Sequence, residues 1–280
     1  MQRSPLRALE RYLMNWTDLL KNPRIYDLSQ PLETGIPSPP SHPPFRMVLS
    51  SRHGDVVRNA GLSSAVDLVV MCGHSGTHID ALGHISQDGR LHGGLEASTV
   101  QAGGRLQELG LEKIPLLFCP GVLLDVAAHR GVDNLPAGEA ITGDELRAVA
   151  EAQGVELPRG GVVLVRSGWA RHWGDTATYL GLKEGCPGPD SSAAEWIAEA
   201  GPRATGHDSM TYERLAPGAG HTTLPVHMIM LVKHGIHLME NLYLEQLAAD
   251  RVHQFLFVCL PLKVIGGTGS PVRPIAVTFD

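Results

Sequence analysis

The sequence is poor in several features, and each shortage removes a class of protein. Nowhere in its 280 positions do about 18 apolar residues run together, so no membrane-spanning helix is expected. No basic stripe is visible. Lys and Arg number 23 against 29 Asp and Glu, the net charge is −6 and the pI near 6.1, which sets nucleic-acid binding aside. Cys72, Cys119, Cys186 and Cys259 stand far apart and form no C-x-x-C pair. Three of them lie in or beside apolar runs, where a thiol behaves as a small hydrophobe, so reduced cysteines in a cytoplasmic setting are expected. Aromatic residues make up only 5% of the chain. The N-terminal stretch MQRSPLRALERYLMNWTDLLKNP has no continuous apolar run of the signal-peptide kind; its leucines, Tyr12, Met14 and Trp16 are broken up by Arg, Glu and Asp. Residues 1–24 are therefore expected to form an amphipathic helical extension, docked on the domain or on a neighbouring subunit.

What is present fits a globular domain: 43% hydrophobic and 19% charged residues, with mean hydropathy −0.02. No internal repeat or linker is visible, so residues 25–280 read as one domain. Residues 36–45, IPSPPSHPPF, are too proline-rich for helix or central strand and read as an extended, lid-like loop. The apolar, β-branched run SAVDLVVMCG (64–73) reads as a buried strand. Further strands are expected at GVLLDVA (121–127), GVVLVRSG (161–168), GIHLME (235–240), QFLFVCLPL (254–262) and PIAVTF (274–279). Helices interleave with them. TGDELRAVAEAQG has Thr142 and Glu145 at capping-box spacing and stops at Gly154; SSAAEWIAEAG repeats the pattern with Ser192 and Glu195 and stops at Gly201. Strands and helices mixed along one chain imply an α/β or mixed α+β fold.

Histidine is the unusual component, at 14 residues. The stretch GHSGTHIDALGH (73–84) holds His74, His78, Asp80 and His84 within eleven positions, at the end of an expected strand. Neutral imidazole and carboxylate are the common protein ligands of zinc and several other transition metals. The intervening Ser-Gly-Thr makes a helix improbable, and His78 and Asp80, two apart in extended chain, point the same way. A second group, LPVHMIMLVKHGIHLMENL (224–242), offers His227, His234, His237 and Glu240. Glu240 ends an apolar run, where a carboxylate is costly unless it is solvated or paired, and a metal would pair it.

Taken together, HSGTHID followed by His84, YDLSQPL (26–32), LVRSGW (164–169) and the late His and Glu segment resemble the metal-dependent cyclase family, which includes bacterial kynurenine formamidases and isatin hydrolases. The resemblance covers roughly residues 25–280. It implies a swivelling β/β/α fold and a homodimer or homotetramer. It also implies that His74, His78 and Asp80 bind one divalent ion, that Asp80 bridges to a second held by His227 and Glu240, and that His84 is the acid/base residue. The cofactor would be Zn2+ or Mn2+, as one ion or two. Three features depart from the formamidase pattern: Leu82 stands where Pro is usual, Ser167 where Thr is common, and the segments 1–24 and 86–94 are additional.

The expected reaction is hydrolysis of a carbonyl C–N or C–O bond of a small molecule (an aryl formamide, a cyclic amide or a lactone) through a metal-bound hydroxide. Phe45, Trp169, Trp173 and His92 are candidate substrate contacts, and Arg166 is either a carboxylate clamp or a structural ion-pair partner. Two other readings compete. His78-x-Asp80 with His227 reproduces the His-x-Asp…His triad of non-haem Fe(II) oxygenases, and a closed four-ligand site would suit a non-catalytic metal-binding protein.

Overall fold

The computed structural model describes residues 21–279. Its strands, in chain order, are β1 (Pro23–Asp27), β2 (Arg46–Ser51), β3 (Val66–Val70), β4 (His78–Asp80), β5 (Gln101–Ala102), β6 (Arg105–Leu106), β7 (Leu117–Asp125), β8 (Ala140–Ile141), β9 (Val162–Arg166), β10 (Gly188–Pro189), β11 (Ala204–His207), β12 (His237–Glu240), β13 (Gln254–Cys259), β14 (Gly269–Pro271) and β15 (Ile275–Phe279). Residues 1–20 of the expected helical extension lie outside the described residues, and Pro23 and Arg24 belong to β1.

One sheet dominates, in the order β1-β15-β13-β7-β9-β11-β12-β4-β14. Its centre is parallel, through β7/β9, β9/β11 and β11/β12, and both flanks are antiparallel. Central parallel strands must be covered on both faces, and β9 and β11 are buried at every residue. Alternation divides them. Val163 and Val165 join Leu124 and Leu238 under the helices Gly143–Gln153 and Ser191–Ala200, while Val162 and Leu164 pack with Leu123, Phe257 and Ala276 on the opposite face. This is the mixed α/β architecture that the sequence pattern implies. Arg166, at the end of β9, donates to Asp125 at the end of β7 (2.8 Å) and to both oxygens of Glu245 (2.8 and 3.0 Å). It is a structural ion-pair partner that ties two central strands to the Glu245–Ala249 helix.

Three local expectations need correction. Residues 66–70 do form a strand, but a fully exposed one. Among the described residues β3 pairs only with β2, in a separate hairpin, where Val48 is 57% exposed and Leu68 55%. A run apolar on both faces reads alike whether it is a central strand or a two-sided arm, because periodicity carries no information about partners. The helix at 191–200 is capped by Asp190, whose carboxylate accepts from the N–H groups of Ser192 and Ala193. Ser192 instead accepts from the N–H of Gly143, and Glu195 pairs with Lys233 and His234. The run at 121–127 is strand only to Asp125, whose side chain then caps a helical turn, Val126–Arg130. The helix at 143–153 follows its expectation: Thr142 accepts from the Glu145 N–H, and Gly154 closes it in the left-handed region.

Candidate metal centre

The centre is assembled by strand register. His78 and Asp80 are alternate residues of β4 and share a face, and the antiparallel pairing of β4 with β12 sets Glu240 directly opposite His78. His78 Nε2 lies 3.3 Å from Glu240 Oε2 and 3.6 Å from Asp80 Oδ1. Its Nδ1 donates to the carbonyl of Gly76 (2.8 Å), which leaves Nε2 turned to the carboxylates. Asn241 holds the same carbonyl through Nδ2 (2.9 Å) and accepts from the Tyr179 hydroxyl (2.8 Å). It adopts a left-handed φ of 57°, a conformation that Asn tolerates better than most residues.

His74 reaches the group from the turn before β4. Its Nε2 is hydrogen-bonded to Thr268 Oγ1 (3.0 Å), and its Nδ1 lies 2.8 Å from Asp80 Oδ1. The ring is pressed onto the backbone of β14. A Cβ at Gly269 would stand 2.6 Å from His74 Cε1, so only glycine allows this approach. His227 enters from the far side of the chain, at the end of the short helix Pro225–His227. Its Nδ1 donates to Glu213 Oε1 (2.7 Å), and the N–H groups of His227 and Val226 bind the same carboxylate. His227 Nε2 then faces Glu240 Oε1 at 3.1 Å and Asp80 Oδ2 at 3.8 Å. His237 donates its Nδ1 proton to the backbone carbonyl of Asp80 (2.8 Å) and so positions that residue, whereas His234 pairs with Glu195 at the surface.

Two overlapping trios result, His74–His78–Asp80 and Asp80–His227–Glu240; within each, the possible ligand atoms lie within 4.8 Å of one another. Asp80 belongs to both. The donor set suits a divalent cation on physical grounds. Both Asp80 oxygens and Glu240 Oε1 are buried and make no hydrogen bond of acceptable geometry, although His74 Nδ1 stands 2.8 Å from Asp80 Oδ1 and His227 Nε2 3.1 Å from Glu240 Oε1. Buried carboxylates left so are costly, and a cation bound by imidazole and carboxylate satisfies them. Without a cation, protons balance the charge. Burial pushes His78 and His227 down, but Glu240 holds His78 up at about 9, and Glu213 with Glu240 holds His227 up at about 10. Glu240 itself, against its burial, is drawn down to about 2 by His227 and His78. A cation takes the place of those protons, so its affinity rises with pH.

His84 belongs to neither trio. Its ring is 4.0 Å from that of His74 and 6.5 Å from that of His227, centroid to centroid. Burial, with His74 and His227, pushes its pKa down to about 4 against the pull of Asp80 and Glu240, so the ring is neutral at pH 7. His84 lines a cavity together with His74, His78, His227, Glu240, Pro37, Pro39, His42 and His221. The proline-rich loop thus contributes Pro37, Pro39 and His42 to the wall of the cavity that the centre shares.

The four expected substrate contacts are not on the cavity wall. Trp169 donates Nε1–H to the Tyr179 carbonyl (3.0 Å) and is buried in a small apolar cluster with Leu180 and Met210. Trp173 meets Tyr179 edge-on at 5.1 Å in the same cluster, the ordinary fate of aromatics four apart. Phe45 is buried and does not line the cavity, and His92 bonds the Val232 carbonyl (2.9 Å) against Gly235. Glu213, His42, His221, Thr268 and Asn241 are not singled out by the sequence pattern, although His42 lies in the proline-rich run 36–45 and Asn241 in the segment 224–242. Only the tertiary fold brings Glu213 to His227.

Glu213 fixes the His227 tautomer with Nε2 towards the carboxylates, and with a bound cation it would complete a carboxylate–histidine–metal arrangement. Glu213→Gln should weaken divalent-ion affinity about 10- to 100-fold, measured by competition with a chromophoric chelator. An unchanged dissociation constant would show that His227 needs no such partner.

The fold and the site define a class: a mixed α/β protein with a buried imidazole–carboxylate centre fit for divalent metal. Residues 26–214 match the family model described as "Putative cyclase". The kynurenine formamidase of Bacillus mycoides is 28% identical over 259 residues, covering 91% of this chain and 98% of that protein. The isatin hydrolase of Roseibium aggregatum is 26% identical over 213 residues, covering 75% and 73%. A crystal structure described as a novel cyclase superposes with TM-score 0.84 at 25% identity, covering 99% of this chain and 94% of that one. The chain belongs to the cyclase family.

Proposed function

We propose that this protein is a divalent-metal-dependent hydrolase of a carbonyl C–N or C–O bond in a small molecule: an aryl formamide, a cyclic amide or a lactone. The observation that carries the reading is Asp80, a buried carboxylate shared by two ligand trios and lacking any hydrogen bond, with a neutral imidazole, His84, beside it. Similarity to a kynurenine formamidase and an isatin hydrolase supports the same class. His74, His78 and Asp80 would hold one cation, and Asp80, His227 and Glu240 a second; Zn2+ and Mn2+ both suit this donor set. When bound, such an ion acidifies a water molecule and polarises the substrate carbonyl. His84 then accepts a proton from the attacking water at a ring nitrogen and delivers it to the leaving nitrogen or oxygen. Pro37 and Pro39, on the cavity wall, would help to exclude bulk water.

Residues 25–280 act as one catalytic domain in this reading. The assembly is a homodimer or homotetramer, and the exposed apolar β2–β3 hairpin supports it. Among the described residues no helix is long and apolar enough to cross a membrane, and the four cysteines are free, which suits a cytoplasmic setting. The test is a panel of formanilides, lactams and lactones offered to protein loaded with Zn2+ or Mn2+, with dissolved oxygen followed throughout. Turnover without oxygen uptake is the expected result. Oxygen consumption with Fe2+ would establish the oxygenase, and no turnover at full metal occupancy would leave a metal-binding protein.

A further inference from the structure

His78 is aimed at the carboxylates by the bond from its Nδ1 to the carbonyl of Gly76, so the aim of the ring is as firm as that carbonyl. Gly76 lies in the turn before β4, in the left-handed region (φ 58°), with no side chain to brace the peptide that follows it. Asn241, the residue after Glu240, grips this turn twice. Its Nδ2 donates to the Gly76 carbonyl (2.9 Å), and its own carbonyl accepts from Thr77 Oγ1 (2.5 Å). The side-chain amide has one productive orientation. A carbonyl can only accept, so Nδ2 must face Gly76 and Oδ1 must face away. Oδ1 meets the hydroxyl of Tyr179, which donates to it at 2.8 Å. Reversed, the amide would set Oδ1 against the Gly76 oxygen, lone pair to lone pair. The phenol is fully buried, and burial pushes its pKa well above the ordinary value, so it stays a donor through the neutral range.

We infer that Tyr179 and Asn241 are positioning residues of the metal centre: the hydroxyl orients the amide, the amide fixes the Gly76 carbonyl, and the carbonyl holds the His78 ring with Nε2 turned to the cation site. The inference rests on the divalent-ion part of the proposed function and names two residues outside both ligand trios that set its affinity. A metal-ligating imidazole is oriented by the acceptor at its other ring nitrogen, and loss of that support weakens the metal. Apparent affinity falls in proportion to the fraction of molecules whose ligand is correctly set, and the relay keeps that fraction high. The same relay gives the aromatic cluster a purpose. Trp169 donates to the Tyr179 carbonyl (3.0 Å) and Trp173 meets the Tyr179 ring edge-on (5.1 Å), so the two tryptophans brace the phenol. The other oxygen near the hydroxyl, the Asp208 carbonyl at 3.5 Å, is too distant to compete with Asn241.

Asn241→Gly is the discriminating variant, because glycine keeps the left-handed backbone (φ 57°) and removes only the amide. Tyr179→Phe keeps the ring and removes only the hydroxyl. Zn2+ affinity is read by competition with a chromophoric chelator, beside the melting temperature of the metal-free protein. Asn241→Gly should raise the Zn2+ dissociation constant about 10- to 100-fold, and Tyr179→Phe about fivefold, the net worth of one hydrogen bond. The double variant should bind no more weakly than Asn241→Gly alone, because the hydroxyl acts only through the amide. A lowered melting temperature with native Zn2+ affinity in both single variants would show that the two residues merely pack; it would overturn the inference and leave the metal centre standing. Losses of affinity that add in the double variant would break the relay, since Tyr179 would then act without Asn241. A native protein that binds neither Zn2+ nor Mn2+ would sink the divalent-ion reading itself, and the inference with it.

Discussion

Asp80→Ala loses metal and activity together. The carboxylate is buried on β4 with both oxygens unpartnered, 2.8 Å from His74 Nδ1 on one side and 3.8 Å from His227 Nε2 on the other. It is the one residue common to both ligand trios. Its loss leaves each trio with two ligands, and Glu240, the nearest carboxylate, is already engaged by His78 and His227. Neither side can be repaired from the surroundings, since the other buried acid beside the centre, Glu213, is turned towards the backbone and Nδ1 of His227. Turnover should fall by at least about 10³-fold, equivalent to roughly 4 kcal/mol of barrier. Elemental analysis after gel filtration should find less than one ion per chain. Full metal content in the variant would remove the bridging role from Asp80 and transfer the site to Glu240 and the histidines alone.

The contrast between what the sequence disclosed and what it withheld follows from the range of each interaction. His74, His78, Asp80 and His84 are legible because a strand and one turn bring them together within eleven positions. His227 and Glu240 become legible through resemblance, and their joining to the first group depends on the β4–β12 register, which no local pattern specifies. Glu213 could not be found at all. Its partner is 14 residues away across an irregular segment, and an acid in TYERL has no periodic context. The same limit explains the misplaced aromatics. Trp169 and Trp173 were visible as scarce residues, but scarcity says nothing of direction, and both turn into the apolar cluster around Tyr179. β3 shows the converse failure: its apolar residues mark a strand correctly, while their exposure follows from β2 being their only partner among the described residues.

His84→Ala, by contrast, keeps the metal and loses the chemistry. His84 is outside both trios, so its removal leaves every ligand in place, and metal content should match the native protein. In the proposed mechanism what disappears is a proton carrier, and general acid–base help of this kind contributes about 10²–10⁴-fold, or roughly 3–5 kcal/mol. The pH profile separates the two parts of the centre. With its pKa pushed down to about 4, His84 is already unprotonated through the neutral range and stays ready to accept a proton as the pH falls to 5. Proton competition at the ligands has the opposite reach. In the cation-free centre His78 is held up at about 9 and His227 at about 10, so each step down in pH favours the proton over the metal at those nitrogens. Activity at limiting metal should therefore fall as pH drops from 8 to 6, and added metal should move that acid limb to lower pH. His84→Ala should lower the plateau of the profile and leave the metal-dependent limb where it was. An acid limb that vanished with His84 and ignored metal concentration would assign the titrating group to His84 itself, and would mean that the ligand imidazoles surrender their protons to the cation across the whole range.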